Sequence, residues 1–180
     1  MRILLINKFY YLSGGAERYV FEWQRLLRER GHETAVFSMA HPRNKACAES
    51  RWFAGRVDFD QAAGPVARLR AAGRSIFSLE ARAGVRGLVR EFRPDLAHVH
   101  SYCYQLTPSI FGPLRQARVP VVQTAHEYYH VCANQHLYDP VAGAVCERCL
   151  RSRWAPLWTR CVKGSAAASA AACAAKALDD

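Results

Sequence analysis

The chain opens with an apolar run, Ile3-Leu4-Leu5-Ile6, set between Arg2 and Asn7. Four apolar residues without alternation suit a strand buried on both faces, as in a parallel sheet. A polar loop ending in Gly14-Gly15 follows. Ala16, Tyr19, Val20, Trp23, Leu26 and Leu27 then recur at helical spacing, and Gly31 stands where a C-terminal cap belongs. This predicts a helix with one buried apolar face. Residues 33–40 (ETAVFSMA) predict a second strand and residues 51–59 (RWFAGRVDF) a third. Across 64–92 the pattern is helical, with Val85, Leu88, Val89 and Phe92 at i, i+3, i+4 and i+7. Gly73 divides or kinks that region, and Pro94-Asp95 stops it. Residues 95–101 (DLAHVHS) read as a strand, 105–117 as a short helix and 119–126 (VPVVQTAH) as another strand.

Strands alternating with helices define a Rossmann-like α/β fold. Its sheet is mostly parallel, with helices on both faces and right-handed crossovers. Ligands of such sheets bind beyond the carboxyl ends of the strands. Three ends should therefore converge on one crevice: Asn7–Gly15, His98–Tyr104 and Thr124–His130. Glycines ahead of a helix N-terminus let a ligand approach free N–H groups, so the expected ligand is a phosphate, as in a nucleotide or nucleotide-sugar. The plainer reading of Gly14-Gly15 is a tight turn with no ligand. G-x-G-x-x-G and G-x-x-x-x-G-K-[ST] are both absent, which argues against a dinucleotide dehydrogenase and a P-loop NTPase.

Composition bounds the class. With 180 residues, 51% hydrophobic and 22% charged, the chain can build one globular domain with a real core. No run approaches the ~20 apolar residues of a membrane span. The N-terminal run is too short for a secretory signal, so a cytoplasmic protein with reduced or metal-bound cysteines is expected. The formal charge is +10, mostly from arginine, with lysine only at positions 8, 45, 163 and 176. It is spread without a block of like charge, which disfavours a basic nucleic-acid tail. It suits an anionic membrane face or a phosphorylated substrate, or else reflects arginine-rich usage alone.

Two groups of residues carry candidate chemistry. Alternation puts His98 and His100 on one face of their strand, as ligand contacts or as satisfied core groups. His126 closes the next strand and could donate a hydrogen bond to a sugar hydroxyl or phosphate oxygen. Lys8 and Arg18 are candidate cations for a phosphate, or solvated surface groups. The second group is Cys132, Cys146, Cys149 and Cys161, with Cys146-Glu147-Arg148-Cys149 as a CxxC knuckle. Four thiolates would make a structural Zn²⁺ site. His130 or His136 could replace one ligand, and an iron–sulfur cluster also accepts four cysteines. Four reduced cysteines in a loop is the plain alternative. Residues 129–164 have little regular pattern, and a metal would order so long a loop. Cys47, Cys103 and Cys173 have no CxxC partner and read as buried thiols.

RILLINKFYYLSGGAERYVFEWQRLLRERGHE, then FRPDLAHVHS, then VPVVQTAHEYYHVC, stand in an order that resembles family-4 retaining glycosyltransferases of the GT-B fold. The resemblance covers about residues 1–165. It implies two Rossmann-like domains facing each other across a cleft, with this half holding the acceptor, here a lipid-linked or polysaccharide molecule. The first glycine loop, Gly14-Gly15 with Arg18, would close over the phosphates of a nucleotide-sugar. His126 would reach the donor sugar, and Lys8, His100 and Glu127 would line the substrate site. The family often has His-Asp where this chain has His126-Glu127. The resemblance further implies a nucleotide-binding Rossmann-like domain that residues 1–180 do not contain. The chain is thus expected to be an incomplete N-terminal domain, inactive alone, with residues 129–164 as a cysteine-rich metal-binding loop. Peripheral contact with the inner membrane face fits the charge. A rival expectation is a zinc-stabilised binding module without transferase activity. Nucleic acid would then be its partner, which the strand–helix alternation and the lack of a basic stripe disfavour.

Overall fold

The computed structural model describes residues 1–57 and 64–178. Four parallel strands, β1 (Arg2–Ile6), β2 (Glu33–Phe37), β3 (Leu96–Val99) and β4 (Val121–Gln123), lie in the order β2-β1-β3-β4. In register, Leu4 stands beside Ala35 and Ala97, and Ile6 beside Phe37 and Val99. Paired residues share a face, so this face is apolar at its centre, with Arg2 beside Glu33 at one end and Gln123 beside Val99 at the other. On the other face Leu5 stands beside Val36 and His98, and Ile3 beside Thr34. This face carries the buried polar side chain at the sheet centre, His98. From β1 the chain runs outward to β2, then returns across β1 to β3, so the switch point lies between the ends of β1 and β3.

Helix α1 (Gly15–Glu29) ends as its sequence predicts. Gly31 takes φ 78°, its N–H bonds the Arg28 carbonyl, and the His32 N–H bonds the Leu27 carbonyl. This is the double closure of a Schellman cap. The buried stripe of α1 differs from the expected one. It is Glu17, Val20, Gln24 and Leu27, while Tyr19 is 42% exposed and Trp23 half-buried. Glu17 and Gln24 can lie inside because both are bonded. Glu17 accepts from the Asn7 side chain at 3.4 Å. Gln24 accepts from the Tyr10 hydroxyl at 3.1 Å and meets Thr34 at 3.4 Å. Buried polar groups with partners escape most of their desolvation cost.

The third strand is not formed. Residues 48–52 make a 3₁₀ turn, and Ala54 makes an isolated bridge to Met39. Asp58 and Phe59 of that expectation lie outside the described residues. Helices α2 (Gly64–Ile76) and α3 (Leu79–Phe92) follow. The division falls at Phe77-Ser78, not at Gly73, because the Ser78 hydroxyl caps α3 by accepting from the Ala81 N–H at 3.1 Å. At Gly84 and Gly87 α3 is in close contact: a Cβ at Gly84 would stand 2.2 Å from the Trp52 carbonyl oxygen and 2.8 Å from the Phe37 ring, and one at Gly87 2.1 Å from the Trp52 ring. The 51–54 segment thus packs against α3 instead of extending the sheet. A 3₁₀ turn (Pro108–Ile110) leads into α4 (Phe111–Gln116), which packs on α3.

These elements form one compact unit, Met1–His126; a second begins at Glu127. The expected irregular loop proves to hold short elements. Strands β5 (Tyr138–Asp139) and β6 (Ala144–Val145) pair antiparallel, and α5 (Arg148–Arg151), α6 (Pro156–Thr159) and α7 (Ala166–Ala177) follow. Helix α7 is almost all alanine, yet it buries Lys176. The ammonium of Lys176 donates to the carbonyls of Tyr129 at 3.1 Å and His130 at 2.5 Å. The start of the unit is thereby tied to its last helix. Among the described residues, no helix is long and apolar enough to cross a membrane.

Candidate functional site

Asn7 organises the strand ends. It is buried beyond β1, and its side-chain oxygen accepts from the Ser101 N–H at 3.1 Å. Its amide nitrogen donates to the Phe9 carbonyl at 2.8 Å and to Glu17 in the first turn of α1. The Lys8 N–H bonds the Ser101 carbonyl at 2.6 Å. Loop 7–14, loop 100–107 and the start of α1 are therefore held as one piece. In loop 100–107 Thr107 has φ 62°, costly for a β-branched residue. Buried bonds hold it there: its N–H reaches the Tyr102 carbonyl, and its hydroxyl accepts from the Ser78 N–H at 3.0 Å and donates to Ser109 at 2.9 Å.

On the polar face of the sheet a chain of rings runs from the centre to the strand ends. Trp23 meets His98 edge-on at 6.0 Å between ring centres. His98 lies 4.1 Å from His100, and His100 lies 5.3 Å from His126. Tyr19 stands edge-on to His100 at 5.7 Å and to His126 at 5.4 Å. Thr124 holds His98 Nε2 at 2.8 Å, and His126 Nε2 lies 3.1 Å from His100 Nδ1. His98 and His100 are buried, whereas His126 is exposed. Burial, then the neighbouring imidazoles, hold His100 down to about 3. Burial and His126 also lower His98. Both rings are neutral near pH 7, so each has one donor and one acceptor nitrogen. His100 Nε2 is buried with no partner. Of the three histidines, His126 is the exposed one.

Tyr19 lies one helical turn from Gly15, which brings the glycine turn and His126 to neighbouring places on α1. Gly14 has φ −168° and ψ −160°, extended backbone open to any residue. A Cβ at Gly15 would meet nothing within 4 Å. The fold itself therefore does not demand glycine at Gly15. Arg18 is exposed on α1. The ammonium of Lys8 lies over the Phe9 ring at 5.6 Å. Glu127 belongs to the second unit, where it is half-buried.

Some residues here escape a reading by pattern. Tyr19 and Trp23 scan as core but form the ring chain. Asn7 and Glu17 scan as surface but are buried. After β2, Tyr11 stacks on His41 at 4.5 Å and carries the Arg43 guanidinium at 4.1 Å, while Lys45 lies over Phe21 at 3.7 Å. The polar run HPRNK at 41–45 was the available signal for that basic rim.

The cysteines of the second unit are all free. Cys132 and Cys161 are buried, and Cys146 and Cys149 half-buried. Burial, with Cys132 and Cys161 nearby, raises the Cys149 thiol; burial also raises Cys161. Among the described residues no group of three or more His, Cys, Asp or Glu is arranged to hold a metal ion. The expected zinc site gains no support from this geometry.

The parallel α/β sheet, with its switch point between β1 and β3, is Rossmann-like. The sequence model of the family described as Glycosyltransferase Family 4 matches residues 13–173, and the chain belongs to that family. No curated protein matches it significantly. A glycosyltransferase-type function, with a sugar donor and an acceptor, follows in general terms from that membership.

Proposed function

We propose that the chain is the acceptor-side half of a retaining glycosyltransferase that takes its sugar from a nucleotide-sugar and hands it to a lipid-linked or polysaccharide acceptor. The observation that carries this reading is the glycine turn. Gly15 is exposed at the N-terminus of α1, where the fold has room for a side chain, and it lies one turn from the ring that touches His126. A phosphate approaching the free N–H groups of the first helical turn needs that room. Arg18 adds a cation on the same helix, and Lys8 a second in the neighbouring loop.

Transfer with retention on one face of the sugar needs no protein nucleophile. The protein positions both substrates and stabilises charge on the departing phosphate. His126, with His100 behind it, would present a ring nitrogen to a sugar hydroxyl or phosphate oxygen. Glu127 would take part in substrate binding. The second Rossmann-like domain of this reading binds the nucleotide, so residues 1–180 alone do not turn over sugar.

A transfer assay on an enzyme carrying both domains tests the assignment. His126→Ala should cost about 10²–10³-fold in rate, the scale for one positioned donor. Gly15→Val should abolish transfer while the thermal midpoint stays. Rates within twofold of the parent for both variants would overturn the site.

A further inference from the structure

In the second unit, residues 152–160 turn as one short helical stretch. The Leu157 N–H bonds the Trp154 carbonyl, and the Arg160 N–H bonds the Pro156 carbonyl. Ala155 and Pro156 point inward and are buried. The opposite side carries Trp154, Leu157 and Trp158, at positions i, i+3 and i+4 of one face. They are 46%, 40% and 65% exposed. Two tryptophans and a leucine together on water are unusual on a soluble surface. The charge near them in sequence is mostly basic: residues 148–163 hold Arg148, Arg151, Arg153, Arg160 and Lys163 and no acidic residue, with Arg148 paired to Asp139 at 3.5 Å.

We propose that this face docks on an anionic lipid bilayer, with Trp154, Leu157 and Trp158 entering the interface and the arginines meeting lipid phosphates. Indole rings settle at the headgroup level, and arginine stems reach outward from an apolar face. Basic charge beside such a face adds attraction to anionic lipid. The aliphatic exposure distinguishes lipid from single-stranded nucleic acid. Leu150, Leu157 and Val145 are exposed in the same unit, and such side chains partition into acyl chains but give bases nothing to stack on. The proposal does not rest on the transfer reading, and its test measures no transfer.

Co-sedimentation of the 180-residue chain with vesicles is that test. Phosphatidylglycerol in phosphatidylcholine should bind the chain, and phosphatidylcholine alone should bind it at least about tenfold more weakly. Trp154→Ser with Trp158→Ser should weaken anionic binding by about tenfold or more, because the anchoring rings are gone. Arg151→Glu with Arg160→Glu should weaken it by roughly fivefold for each charge lost. All four side chains are exposed, so the thermal midpoint should hold in both variants. Equal binding to both vesicles, or variants that bind like the parent, would overturn the proposal. So would retention on single-stranded DNA that exceeds vesicle binding and falls with the same substitutions.

Discussion

The two units of the chain reach order by different physical routes. Residues 1–126 are organised by a sheet with buried apolar residues on both faces and strands that pair in continuous register. Order there is collective, because β1, β2 and β3 bury most of their side chains together, while β4 stays exposed. Residues 127–178 have two strands of two residues, two helices of four, and one alanine-rich helix. Their order rests on particular groups: the Lys176 ammonium on two carbonyls, buried cysteines, and Asp139, whose carboxylate accepts from the N–H groups of Val141 and Ala142. A collective core tolerates polar substitution at its rim and fails when its packing is wedged. A unit built on few groups loosens one contact at a time. The chemistry follows the division. The ring chain needs a rigid strand to hold His98 and His100 under Tyr19 and Trp23. A surface that meets a membrane needs only exposed side chains on a local turn.

The contrast can be broken at Gly84. Gly84→Val would drive its side chain into the Trp52 carbonyl and the Phe37 ring. It should cost about 3 kcal/mol or more and lower the urea midpoint of the whole first unit. An unchanged midpoint would mean that α3 is not packed on the 51–54 segment as described.

The histidines sharpen the contrast through pH. His98 and His100 are held below the ordinary imidazole value of 6.5, His100 at about 3. The unfolded chain therefore binds protons that the fold excludes. Their contribution to stability is present above pH 6.5 and is lost as pH falls toward 3. The slope is at most about 1.4 kcal/mol per pH unit for each histidine. Denaturation followed from pH 7 to 4 should show this loss in the first unit, and His100→Gln should flatten it. A slope unchanged in the variant would place the titrating group elsewhere.

Lys176→Met tests the second unit and carries the smallest effect. Loss of two charged hydrogen bonds should cost about 2 kcal/mol. Amide exchange should rise around Tyr129–Cys132 while β1 and β3 keep their protection. Equal loosening of the sheet would show that the units are not separate in stability.

The sequence displayed these two regions unequally. Strands β1, β2 and β3 were legible because buried parallel strands are runs of apolar residues. The cap at Gly31 was legible because a positive φ selects glycine. The facing of α1 was not, because burial of Glu17 and Gln24 depends on Asn7 and Tyr10, which approach only in the folded chain. For the same reason Tyr19 and Trp23 scanned as core. The 51–59 segment looked like a strand, since nothing local reveals that α3 needs Trp52 beside Gly84. In the second unit, elements of two to four residues leave no period to read, and Lys176 in an alanine helix gives no hint of burial. Of the candidate site, His100 and His126 were named and do meet. The basic rim at 41–45 was overlooked because it follows a strand end without a glycine or histidine pair to mark it.

The central claim is that the glycine turn and His126 form one ligand surface. Titrating the isotopically labelled 180-residue chain with millimolar nucleotide-sugar, and following amide and imidazole resonances, tests it most directly. The account predicts shifts at Gly14–Tyr19 and on the His126 ring, with the outer face of α3 silent. Shifts confined to other surfaces, or none at millimolar ligand, would contradict it.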